Sequence, residues 1–165
     1  MTFITENLKS QNEIYAGFWI RAVALLIDFI VIRVCFALVE RFYYLIFVSV
    51  GLGANMEYIF YYADYALIAV SIIVYWLYFA KMESSSTQGT LGKMFFGIVV
   101  TDLNGQRISF KTASIRFFSK LISAVILLIG FFMAGFTPKK QALHDIIARC
   151  YLVRKGKYTK IPAQA

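Results

Sequence analysis

A chain of 165 residues that is 60% hydrophobic, 18% aromatic and only 16% charged, with a mean hydropathy of +0.68, is too apolar for a soluble domain and reads as one integral membrane unit. Its 17 Lys and Arg against 9 Asp and Glu give a net charge of +8, but the basic residues lie beside apolar runs, which points to loops against anionic lipid and away from nucleic acid. Cys35 and Cys150 stand in no paired spacing, so neither a disulfide framework nor a thiol centre is expected.

The opening MTFITENLKSQNEIYAG lacks the basic start, apolar core and cleavage site of a signal peptide, so the first apolar segment is expected to stay as an anchor. That segment, residues 18–39, suffices to cross a bilayer, because about 20 helical residues at 1.5 Å each match a hydrocarbon core of roughly 30 Å. It can run on through YYLIFVSVGLG, residues 43–53. A second span is expected over residues 58–80, which contain YALIAVSIIVYWLYF with Tyr and Trp suited to the interfaces. Between the spans lie Glu40, Arg41, Glu57 and Asp64; after the second come Lys81, Lys93, Arg107, Lys111 and Arg116 against Glu83 and Asp102. The positive-inside rule therefore puts the first connection outside, and the N-terminus and the second connection in the cytoplasm.

Within that inner loop, residues 81–114, GIVVTDLNGQRISF sets two β-branched runs around an Asn-Gly turn, which predicts a small cytoplasmic β-hairpin. SSSTQGTLGKMFFG is like a phosphate loop only superficially, because GxxxxGK[ST] is absent, so no nucleotide or other cofactor is expected. A third membrane segment, residues 115–137, contains LISAVILLIGFFMAGF, and here two rules disagree. A full crossing puts the tail outside, whereas Lys139, Lys140, Arg149, Arg154, Lys155, Lys157 and Lys160 favour the inside. A true third crossing is the expectation, and a re-entrant hairpin bent at Gly130 and Gly135 is the alternative. In the tail, residues 138–165, PKKQALHDIIARCYLV places Ala142, Leu143, Ile146 and Ile147 on one face of an amphipathic helix, followed by a short β-like CYLV. The expected fold is an all-α integral membrane protein, a single domain over residues 1–165, with three membrane helical segments, the hairpin and the C-terminal helix.

Three charges interrupt the first span. Arg21 and Asp28, seven residues apart, lie about 20° apart around a helix and about 10.5 Å along it, so they share a face. Arg33 and Glu40 repeat the spacing on a face turned by roughly 100 to 120°. A carboxylate at the depth of Asp28 costs roughly 2.5 to 3.5 kcal/mol to insert, so it must meet protein, a cation or a wet cavity, or take up a proton. A polar lock between helices and a cation or proton site both satisfy that demand. His144 and Asp145 are neighbours pointing about 100° apart, so they form no catalytic relay. Asp145 is expected to cap or salt-bridge a basic neighbour. Neither a metal site nor an enzyme is expected, because no ligand cluster, nucleophile and base pair, or cofactor fingerprint is present.

Taken together, YAGFWIRAVALLID, TLGKMFFGIVVTDLNGQRISF, Arg116 before the third segment and PKKQALHDIIARCYLV resemble the RDD family of small membrane proteins, over residues 15–153. The resemblance implies that Arg21 is the family arginine, Asp28 the first aspartate and Asp145 the second. The chain departs from the pattern at Ala148-Arg149-Cys150, where the resemblance implies a small residue and a threonine after the HDxIA motif. It also implies a multi-pass protein of a bacterial-type cytoplasmic (inner) membrane, with a loose association to transport of undefined ligands. Arg21 and Asp28 then read as a polar seam reached by Asp145 or the Lys93 region from the cytoplasmic side, with Arg33, Arg116 and His144 as secondary positions. Two functional classes fit: a carrier of small ions or solutes using Asp28, expected as a homo-oligomer because three helices enclose little volume, and an accessory or assembly subunit of a larger membrane complex.

Overall fold

The computed structural model describes residues 14–49, 57–125 and 129–157; the N-terminal residues 1–13, residues 50–53 of the expected extension and Lys160 lie outside them. Helices α1 (Phe18–Ser49) and α2 (Glu57–Ser84) dominate the chain. Both are long and apolar enough to cross a bilayer. Helix α1 exposes Leu25, Leu26, Phe29, Ile30, Val34 and Leu38 and buries only Ala24, Asp28 and Ile32, the i, i+4, i+8 stripe of one face. A helix apolar all round with so little of it covered is built for hydrocarbon.

The stretch between α2 and the third segment forms a short helix, α3 (Leu91–Phe95), and a strand, β1 (Ile98–Asp102). Helix α3 lies against α1 with its backbone. A methyl group on Gly92 would sit 2.0 Å from the carbonyl oxygen of Ala24, so only glycine permits this approach. Strand β1 pairs antiparallel with β2 (Cys150–Arg154), Ile98 opposite Arg154 and Asp102 opposite Cys150. Tyr15 bridges to Val153 on the other edge of β2, and the Ala16 amide donates to the Leu152 carbonyl at 2.9 Å.

This sheet corrects the expected hairpin. The Asn-Gly turn exists, with Gly105 at φ +79° and the Asp102 amide donating to Gln106, but Thr101 to Arg107 is its single bridge. The second run leaves the ladder because Ser109 caps the next helix, its hydroxyl accepting the Thr112 amide at 3.1 Å, while Ile108 is buried in the core. The true partner of β1 comes from the tail.

The same pairing joins the two flanks of the third segment. Helices α4 (Phe110–Val125) and α5 (Ile129–Phe136) are separated by residues 126–128, which lie outside the described residues, and Gly130 and Gly135 are both inside α5. Before α4 the chain is tied to β1. After α5 it is tied to β2 directly: Gln141 Nε2 donates to the Cys150 carbonyl and Lys139 Nζ to the Tyr151 hydroxyl. Both flanks of the segment therefore meet at one sheet.

Helix α6 (Leu143–Ile147) is shorter than the tail helix expected. It buries His144 and Asp145 and exposes Ile146 and Ile147, while Ala142 before it is buried. Helix α4 likewise buries Arg116, Ser119 and Ser123 and exposes Ile115, Phe118, Leu121 and Ile122. The charged groups meet one another inside, leaving the apolar groups for lipid.

Candidate functional site

Two buried polar clusters lie along α1. In the first, Asp28 accepts from the Tyr78 hydroxyl at 2.8 Å, the Gly92 amide at 2.8 Å and the Thr90 hydroxyl at 2.5 Å. The Tyr78 oxygen in turn accepts the Leu91 amide at 3.1 Å. Thr90 precedes α3, so the first two helical amides, which no intrahelical carbonyl can satisfy, are taken by Tyr78 and Asp28. A carboxylate suits that position because it faces the positive end of the peptide dipoles. Asp28 thus clamps α3 onto α1.

The second cluster joins five helices. Arg116 on α4, fully buried, donates Nη1 to Glu83 on α2 at 2.6 Å, and Nε and Nη2 to Asp145 on α6 at 2.9 and 2.7 Å. Glu83 also meets Lys93 Nζ at 2.5 Å and Lys120 Nζ at 3.5 Å. Asp145 also meets Arg21 Nη1 at 2.5 Å and His144 Nε2 at 3.4 Å, and accepts the Ala142 amide at 3.1 Å. Arg21 Nε is fixed by the Ala16 carbonyl at 2.9 Å. Four cations, Arg21, Lys93, Arg116 and Lys120, therefore surround two carboxylates.

That imbalance sets the electrostatics of the loop and tail. Burial pushes the Lys93 ammonium down to about 7, with Arg116 and Lys120 adding to the effect and Glu83 opposing it. Burial alone would raise the Asp145 carboxyl, but Arg116 and Arg21 outweigh it and hold the group well below the usual carboxylate range. Burial pushes His144 down to about 3 against the pull of Asp145, so it is a neutral imidazole at physiological pH. Burial likewise pushes the Cys150 thiol up to about 12.

A cavity of about 270 Å³ opens beside these cations. Arg21, Lys93, Arg116, Lys120 and His144 line one part of it, and Phe18, Leu25 and Phe79 are among the apolar walls. Arg21 Nη2 is buried there without a hydrogen-bond partner among the described residues. Among those residues, no three His, Cys, Asp or Glu side chains gather to hold a metal ion. The cavity surface is mostly apolar, with the cationic side chains contributing a small polar part of it.

The sequence-based seam is thus divided. Arg21 goes to Asp145 and Asp28 goes to α3, because 10.5 Å of helix rise separates them and different elements dock at each height. Lys93, Arg116, His144 and Asp145 converge with Arg21. Arg33 is exposed on α1 and joins neither cluster. Glu83, Lys120, Tyr78 and Thr90 were not singled out. For two of them a signal exists, since Glu83 is a lone acid ending an apolar helix, and Arg116 and Lys120 fall at i, i+4 on the next one.

The RDD family model matches residues 15–149 of the chain. The chain is 34% identical over 148 residues to the uncharacterized protein YxaI of Bacillus subtilis (strain 168), covering 85% of this chain and 97% of the relative. It is 33% identical over 157 residues to the uncharacterized membrane protein YteJ of the same organism, covering 94% and 90%. No solved structure matches.

Proposed function

The chain belongs to the RDD family of membrane proteins, and from that premise we propose that it binds and carries a small anionic solute in the cavity around Arg116. The observation that supports this reading is the surplus of cations among the described residues: four against two carboxylates, with Arg21 Nη2 lacking a partner among them. An uncompensated buried charge is costly, and an arriving anion would offset it. A cation carrier is less well supported. Glu83 and Asp145 are already engaged by cations, and both Asp28 oxygens accept hydrogen bonds. Arg116 and Arg21 hold their charge, so they act as fixed donors, and Lys120 adds a mobile one.

Lys93 supplies a proton coupling. In the empty cavity its ammonium is destabilised toward neutrality, and an anion beside it would restore the charge. Anion binding near and above pH 7 would then draw in a proton. We assign the N-terminal stretch, the segment between α2 and α4, and the tail to the cytoplasmic side of a bacterial inner membrane, with the basic residues of the tail obeying the charge bias. A homo-oligomer would supply the enclosed path that two spanning helices lack.

The experiment is the melting temperature of the purified protein in orthophosphate and in chloride at equal ionic strength. Phosphate should raise it in the wild type and do so far less in Arg21→Gln/Lys120→Gln. Stabilisation by sodium with no response to any anion would replace this reading with a cation site. No response to either, together with a partner retained through purification, would favour an accessory subunit.

A further inference from the structure

We propose that the anion carried in this cavity bears an alkyl chain, making the ligand an anionic amphiphile with a phosphate or carboxylate head. The inference rests on the anion reading and adds the tail. A second cavity of about 390 Å³ runs along α1 and α2, lined by Ala22, Leu25, Leu26, Phe29, Tyr75 and Phe79. Ala22, Leu25 and Phe79 also line the cationic cavity, so the two adjoin along α1. One stripe of α1 makes the wall, from Phe18 and Arg21 through Ala22, Leu25 and Leu26 to Phe29, at helical spacings of three and four.

Polarity changes along that stripe. At the Arg21 end stand Lys93, Arg116 and Lys120, and Arg21, its side chain only 11% exposed, holds Nη2 buried without a hydrogen-bond partner among the described residues. At the Phe29 end no charged group among the described residues lines the groove. From Arg21 to Phe29 the helix rises about 12 Å, room for an alkyl chain of roughly eight to ten carbons. Leu25, Leu26 and Phe29 are themselves exposed, so the tail end opens on the surface that α1 turns to lipid. A free inorganic anion would use the cationic end alone and leave the apolar length empty. A neutral lipid would fill the groove and leave the cations uncompensated. An anionic amphiphile satisfies both ends at once.

The test uses the full chain in a neutral maltoside detergent. Dissociation constants are measured for n-alkyl phosphates and n-alkyl carboxylates from two to twelve carbons, and for phosphatidylglycerol, on the wild type, Lys120→Gln and Leu26→Trp. Each is read as a ratio between proteins, which cancels partition into micelles. The ratio of wild-type to Leu26→Trp affinity should rise with each methylene and level off near eight to ten carbons. Lys120→Gln should weaken every member by about tenfold. Leu26→Trp, which fills the groove but lies outside the cationic cavity, should leave ethyl phosphate binding intact and abolish the gain with chain length. Should Leu26→Trp fail to fold, Phe29→Ala removes the end wall and should cut the gain at the longest chains.

Phosphatidylglycerol binding as tightly as decyl phosphate would identify a membrane lipid as the source. Much weaker binding would identify a free single-chain acid. Ethyl phosphate binding as tightly as decyl phosphate would overturn the amphiphile and leave the anion reading standing. Binding of no member, or equal binding by wild type and Lys120→Gln, would overturn both.

Discussion

Asp28 and Asp145 are both fully buried carboxylates at the margins of α1, yet their surroundings differ in kind. Asp28 is held by two hydroxyls and a backbone amide, all neutral donors that fix the start of α3. Asp145 is held by two guanidiniums, inside a set where cations outnumber carboxylates. A neutral cage needs only a hydrogen-bond acceptor of the right shape, and it closes around it. A cationic cage needs the charge itself, and with cations in surplus it stays receptive to another anion. Family membership alone would treat the two aspartates as equivalents; their donors separate a clamp from a binding site.

The sharpest way to break this contrast is one isosteric change at each carboxylate. Asp145→Asn leaves Arg21 and Arg116 facing an amide where a charge stood, at a cost of about 3 to 5 kcal/mol, and should release α6 and β2 from the bundle. Its thermal melt in detergent should collapse or shift far down. Asp28→Asn retains the shape and the acceptor for Gly92, while Thr90 can turn its hydroxyl to accept, so the loss should be about 1 kcal/mol or less. Equal losses in the two variants would erase the distinction.

Next in size is Gly92→Ala. The added methyl meets the Ala24 carbonyl oxygen at 2.0 Å, so α3 must lift from α1, and overpacking of this kind costs about 1 to 3 kcal/mol. Protease susceptibility of the segment between α2 and β1 should increase, while phosphate stabilisation should fall only through the displacement of Lys93. Loss of stability without any new cleavage would place the damage elsewhere.

The spans and the site were legible to different degrees. Apolar runs of bilayer length marked α1 and α2, and the depth of Asp28 marked it as needing a partner. The partner itself was not legible, because Thr90 and Gly92 lie more than 60 residues away and nothing periodic links them to α1. Strand pairing failed for a related reason: an Asn-Gly turn advertises a local hairpin, while β2 lies some 50 residues along the chain and sends no local signal. For α4 and α6 periodicity gives the axis of polarity but not which side is inward, and next to lipid the inward side, with Arg116 and Asp145, is the charged one. The charge bias allowed two readings of the third segment, a crossing and a re-entrant turn, and the β1 to β2 pairing, which joins its two flanks, was not legible in the sequence either.

A smaller effect concerns pH. Because the Lys93 ammonium sits near 7 in the empty protein, phosphate affinity should hold below that value and fall by as much as about tenfold per pH unit above it. Lys93→Arg keeps its charge throughout and should flatten the profile. A fall that survives in Lys93→Arg would point to another titrating group. Smallest of all is a topological mark that should leave stability unchanged. Cys150 is buried with its thiol pushed up to about 12, so it should resist maleimide; Lys155→Cys, on the exposed end of the tail, should react in a Cys35→Ser background. Labelling by an impermeant reagent only after the membrane is opened agrees with a cytoplasmic tail, and labelling in intact cells contradicts it.

The claim that matters most is that the cage around Arg116 receives an anion and the cage around Asp28 does not. Calorimetric titration of orthophosphate into wild type, Asp28→Asn and Lys120→Gln, all in the same neutral detergent, addresses it directly. The account predicts one site per chain, unchanged in Asp28→Asn and weakened by about tenfold in Lys120→Gln. Binding lost in Asp28→Asn but retained in Lys120→Gln would contradict it.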